Sequence, residues 1–180
     1  MNIPNALTLS RFGMAGLLII FLNASFPGSG VLSLIIFVAA AITDALDGHL
    51  ARNVYGCTDF GKLMDPLADK VLTAAAFIGF VGLGIMPAWM VTLILSREFM
   101  VTGLRLLAAD KGIVLAAGIW GKHKTIWQMI FISIVLLLGC FQCLEKCQTL
   151  LWWFGLFVTI LSVWSGWHYF DQNKNLLAEK

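Results

Sequence analysis

Residues 31–69 read VLSLIIFVAAAITDALDGHLARNVYGCTDFGKLMDPLAD. An apolar run leads into Asp44 and Asp47, a polar segment follows, and Asp65 and Asp69 stand at the head of the next apolar run. Runs of this kind are long enough to cross a membrane as helices, which takes about 20 residues. Within such helices the first two aspartates are spaced i, i+3 and the second two i, i+4, so each pair shares one face. An ionised carboxylate in hydrocarbon is costly and has to face a partner or water. The two helices are therefore expected to turn four carboxylates inward.

The rest of the chain agrees with a membrane setting. Of its 180 residues, 59% are hydrophobic and 12% charged, and the mean hydropathy is +0.87, far from a soluble domain, a disordered chain or a disulfide-stapled secreted scaffold. Crossings are expected near Leu7 to Asn23, Val31 to Leu50, Phe60 to Gly82, Ala88 to Ala109, Ile119 to Gly139 and Thr149 to Tyr169. That makes an all-α integral membrane protein, a six-transmembrane-helix bundle forming a single domain over residues 1–180. The Gly/Pro connections at 25–30 and 82–87 carry no charge and read as tight turns on one side. Arg11, Arg52, Lys62, Lys111, Lys122, Lys124, Lys174 and Lys180 fall on the other side, against Lys146 alone. The positive-inside rule then puts both termini in the cytoplasm. A formal charge of +2 gives no reason to expect a nucleic-acid partner.

Clustered carboxylates repel, and an all-oxygen set without His or Cys suits a hard divalent cation, Mg²⁺ or Mn²⁺. Two such ions clamp phosphoryl oxygens and stabilise the attacking and leaving oxygens of an in-line displacement. Asp44, Asp47, Gly48 and Ala51 follow i, i+3, i+4, i+7, while Gly61, Asp65 and Asp69 follow i, i+4, i+8. Each acidic face thus carries small residues, which admit either a substrate or a neighbouring helix. Arg52 is a cation placed for a diphosphate at the membrane edge, or an interfacial anchor. Cys140, Cys143 and Cys147 are not read as a zinc site, which wants four well-placed ligands.

The pattern Asp44-x2-Asp47-Gly48-x2-Ala51-Arg52-x8-Gly61-x3-Asp65-x3-Asp69 places eight residues over 26 positions and resembles the signature of the CDP-alcohol phosphotransferase family. Three further stretches, 2–11, 97–105 and 121–125, are similar to the bacterial phosphatidylglycerophosphate synthase branch of that family. The resemblance implies a bacterial cell-membrane enzyme, multi-pass, with its active site facing the cytoplasm. It would transfer the phosphatidyl group of CDP-diacylglycerol to sn-glycerol 3-phosphate with two divalent cations, Mg²⁺ or Mn²⁺. Asp44, Asp47 and Asp65 would hold one ion, and Asp44, Asp65 and Asp69 would ligate or border the other, with Asp69 also the general base. Gly48, Ala51, Arg52, Thr58 and Gly61 would receive the donor's cytidine diphosphate, with Asn5 and Thr8 touching the donor or capping the first helix.

The acceptor implied by this resemblance brings its own phosphate, which calls for a second cationic site. Arg97 and Arg105, spaced i, i+8 in an apolar run, and Lys122 and Lys124 are the candidates. Glu98 is expected to brace Arg105, and Arg11 to contribute to the site or anchor the interface. A homodimer in membrane lipid is implied by the family. The alternatives are another acceptor (inositol phosphate, serine or phosphatidylglycerol) or, from another class, a cation transporter. Arg52 argues against the latter, because a cation path gains nothing from an arginine beside its carboxylates.

Overall fold

The computed structural model describes residues 3–24, 26–50, 59–113, 115–116 and 118–174, and the side chains of these except at 3–8, 44–50, 59–66 and 69. Six helices follow one another, with no strand among the described residues: α1 (Ile3–Leu22), α2 (Ser29–Leu50), α3 (Asp59–Gly82), α4 (Ala88–Asp110), α5 (Ile119–Cys140) and α6 (Leu144–Gln172). Each expected apolar run lies within a helix, except that the first passes the end of α1 by one residue, Asn23, and several helices outrun their runs. Pro4 sits in the first described turn of α1, where a missing N–H costs no intrahelical bond. Helix α6 continues through the polar residues Glu145, Lys146 and Gln148, since that stretch holds neither glycine nor proline to stop it.

Short turns force the helices to alternate in direction. Gly28 and Gly84 have φ of 94° and 69°, the left-handed region that glycine enters without penalty, and they let the chain reverse between α1 and α2 and between α3 and α4. A Cβ at Gly30, at the start of α2, would lie 2.8 Å from the carbonyl oxygen of Gly139, at the end of α5, and Gln148 on α6 donates to the carbonyl of Gly84 at 3.3 Å. These contacts gather the turns between α1 and α2, α3 and α4, and α5 and α6 at one end of the bundle. At the other end lie the start of α1, the end of α2, the start of α3, the end of α4, the start of α5 and the end of α6.

Helix α1 packs along both α2 and α3, while α2 and α3 themselves meet only sparsely. The centre is aromatic: Phe131 of α5 stacks on Phe77 of α3 at 6.1 Å and meets Phe80 and Phe154 edge-on at 6.0 and 5.2 Å. Outward, Ile35, Ile78, Phe99, Leu150 and Ile160 are exposed. Such a continuous apolar exterior is what lipid contact requires. Helices α5 and α6 contain apolar windows long enough to cross a membrane, and among the residues with described side chains shorter apolar stretches occupy Leu9–Leu22, Ser29–Thr43 and Lys70–Gly82.

Candidate active site

The backbone brings the acidic signature to one end of the bundle. Asp44 and Asp47 lie on the last turns of α2 and Asp65 and Asp69 on the early turns of α3, helices that run in opposite directions, so the four positions share an end. Asn5 and Thr8, on the opening turns of α1, belong to that end as well, with Gly48 and Gly61 on α2 and α3. The side chains of Asn5, Thr8, Asp44, Asp47, Asp65 and Asp69 lie outside the described set, and Ala51, Arg52 and Thr58 lie outside the described residues altogether. Among the described residues no cluster of His, Cys, Asp and Glu forms a metal site. The donor set of the four signature positions fits a hard divalent ion on chemistry alone, because every ligand it offers is a carboxylate oxygen.

Beside this end, between α3, α4 and α5, lies an open cavity of about 430 Å³. All four residues expected from the sequence to receive a phosphate line it, namely Arg97, Arg105, Lys122 and Lys124. They come from different depths. Arg97 and Lys124 are 9% and 7% exposed, whereas Arg105 and Lys122 stand at the rim. Lys70, which directly follows Asp69 in the chain, also lines the cavity and donates to the Thr102 hydroxyl of α4. The sequence reading missed it, since one residue's step on a helix turns it about 100° from the acidic face.

The carboxylate of Glu98 faces the cavity too, and its partners differ from expectation. It accepts from Arg97 Nη1 at 3.2 Å and forms an ion pair with Lys124 Nζ. Arg105 is not braced by Glu98, because seven residues along a helix separate the two by about 10 Å of rise. Arg105 instead donates from Nε to the Tyr169 hydroxyl of α6 at 3.1 Å, with its guanidinium carbon 5.4 Å from the ring centre. Arg11 is 1% exposed within α1, so it is no interfacial anchor.

Lys124 also donates to Gln128 Oε1 at 3.1 Å. Since an ammonium only donates, that contact fixes the amide's orientation and leaves Gln128 Nε2 as the buried group without a partner among the described residues. Arg97 Nε is likewise buried and unpaired among them. The cavity therefore combines several cations, one carboxylate already engaged by two of them, and donor capacity left over. Such an arrangement takes an anion, and a guanidinium fork favours the planar oxygen pairs of carboxylate or phosphate.

An acidic end on α2 and α3 joined to a cationic cavity belongs to a recognisable class of membrane enzyme. Residues 1–164 match the family model described as CDP-alcohol phosphatidyltransferase, and the chain belongs to that family. It is similar to the CDP-diacylglycerol–glycerol-3-phosphate 3-phosphatidyltransferase of Bacillus subtilis, 40% identical over 96% of this chain and 95% of that one. The protein of the same name from Rickettsia bellii is 34% identical over 96% of each chain. That from Mycoplasma pneumoniae is 37% identical over 78% of this chain and 68% of its own.

Proposed function

We propose that this protein transfers the phosphatidyl group of CDP-diacylglycerol to sn-glycerol 3-phosphate, yielding phosphatidylglycerol phosphate and CMP. The observation that carries the reading is the cavity walled by Arg97, Arg105, Lys122 and Lys124, next to the end of the bundle that holds the four aspartates. The relatives' names supply the two substrates, and the cavity supplies a cationic place for an acceptor that is itself a phosphate. A cation path would not be lined this way.

In this reading Asp44, Asp47, Asp65 and Asp69 hold two divalent cations, which when bound supply charge neutralisation at the diphosphate. Gly48, Ala51, Arg52, Thr58, Gly61, Asn5 and Thr8 receive the donor. Arg97, Arg105, Lys122 and Lys124 hold the acceptor's phosphate and so bring its primary hydroxyl toward the acids. Asp69 takes the hydroxyl proton as the oxygen attacks the phosphorus bearing the diacylglycerol. The bond from that phosphorus to the bridging oxygen breaks, and CMP leaves with the electron pair. The chain works as a single domain of six membrane-spanning helices in the bacterial cell membrane, as a homodimer, with termini and active site on the cytoplasmic side.

The test is CMP release from CDP-diacylglycerol by the detergent-purified protein with Mg²⁺ or Mn²⁺. Metal-dependent release with glycerol 3-phosphate, abolished by chelator, is the expected outcome. Release with inositol phosphate, serine or phosphatidylglycerol in its place would keep the family and reassign the acceptor.

A further inference from the structure

We propose that Tyr169, on the penultimate turn of α6, is a positioning residue that sets Arg105 for the acceptor's phosphate. This rests on the acceptor-site reading above. The phenol oxygen accepts the Nε–H of Arg105 at 3.1 Å, and the ring lies 5.4 Å from the guanidinium carbon. Engaging Nε in this way leaves both terminal nitrogens, which have no partner among the described residues, for the cavity that Arg105 lines. Those two nitrogens form an edge that matches two oxygens of a phosphate. Arg105 stands at the rim, where an untethered side chain samples many rotamers, and ordering it before the ligand arrives lowers the entropic cost of binding.

Tyr169 can hold Arg105 because it is itself fixed. It is 6% exposed and packed with Val101 and Leu104 of α4, with Leu115 and Phe170 beside them. One turn earlier on the same helix, Gly166 makes room for the other arginine: a Cβ there would meet Arg97 Cγ at 2.7 Å. The end of α6 thus shapes both arginines of the cavity without lining it.

The test compares steady-state kinetics of the full-length protein in detergent for Tyr169→Phe, Arg105→Ala and the double variant. Tyr169→Phe keeps the ring and loses the hydroxyl, and should raise the KM for glycerol 3-phosphate about tenfold, the scale of a lost hydrogen bond to a charged group. The KM for CDP-diacylglycerol should stay within error. In the Arg105→Ala background, Tyr169→Phe should add nothing, because the tyrosine acts through the arginine. Arg105→Lys supplies a second background with the charge kept and the fork removed, in which Tyr169→Phe should again be silent. If Arg105→Ala raises the acceptor KM and Tyr169→Phe leaves it unchanged, the positioning role is overturned while the acceptor site stands. Additive effects, or equal losses for both substrates, would overturn it too. An Arg105→Ala enzyme with a normal acceptor KM would instead overturn the acceptor-site reading itself.

Discussion

Asp69 follows Asp65 by four positions on α3, so the two share one face of that helix. In the proposed role of base it takes a proton that an amide cannot accept, whereas an amide still offers an oxygen to a ligand. Asp69→Asn should therefore lower turnover by about 100-fold or more while leaving the donor's KM within a few-fold. CMP release under saturating donor and acceptor measures it, and near-normal turnover would remove Asp69 from the role. Residues of this kind announce themselves in the sequence, because a carboxylate at the head of a membrane run has no cheap explanation. Arg97 and Arg105 were legible for the same reason. Their partners were not: Glu98 was assigned to Arg105 on face periodicity alone, which ignores the rise along the axis, and the structure pairs it with Arg97 and Lys124. Tyr169 lies 64 positions from Arg105, and no local pattern joins them.

At the level of the helices, periodicity and punctuation carried the reading, and packing supplied the rest. The turns with Gly28 and Gly84 could be foreseen from Gly/Pro content, but the close approach of α2 to α5 at Gly30 could not, since it joins segments distant in sequence. With lipid on all sides, helices associate through close packing of small residues rather than by exclusion from water. A methyl group on Gly30 would press against the Gly139 backbone, which has no flexible end to yield. Gly30→Ala should destabilise the protein by about 1 to 3 kcal/mol, the range for overpacking a tight site. Gly16 on α1 has nothing within 4 Å of an added Cβ. Gly16→Ala should therefore hold or raise stability, as alanine favours a helix over glycine by about 0.5 to 1 kcal/mol. Thermal unfolding of the two variants in the same detergent separates them, and equal losses would deny the close approach at Gly30. Helix α6 is longer than the expected run Thr149 to Tyr169, because it takes in polar residues at both ends. Its 29 residues span about 43 Å, more than the roughly 30 Å of hydrocarbon that a membrane-crossing helix has to cover.

For the whole molecule, the alternation of six helices puts three short turns at one end and the start of α1 and the end of α6 at the other, and the cations follow this division. Arg105, Lys122, Lys124 and Lys174 belong to the end that holds the acids, whereas the opposite end carries Lys146 at the start of α6. By the positive-inside rule, that excess of positive charge supports the proposed orientation, with this end toward the cytoplasm. Substrate chemistry demands the same orientation, because glycerol 3-phosphate and CMP are charged, water-soluble molecules and do not cross the bilayer unaided. The chain carries its own reporters of this arrangement. Cys140, Cys143 and Cys147 are free thiols at the turn between α5 and α6, and Cys57 stands in the segment between α2 and α3. In intact cells, a membrane-impermeant maleimide should label a variant whose sole cysteine is Cys143 and spare one whose sole cysteine is Cys57. Inverted membrane vesicles should reverse the two. The opposite assignment would turn the protein over and place the cavity outside the cell, away from its substrates. Labelling of both from a single side would mean that the helices between them cross the membrane an even number of times, and would overturn the proposed six alternating spans.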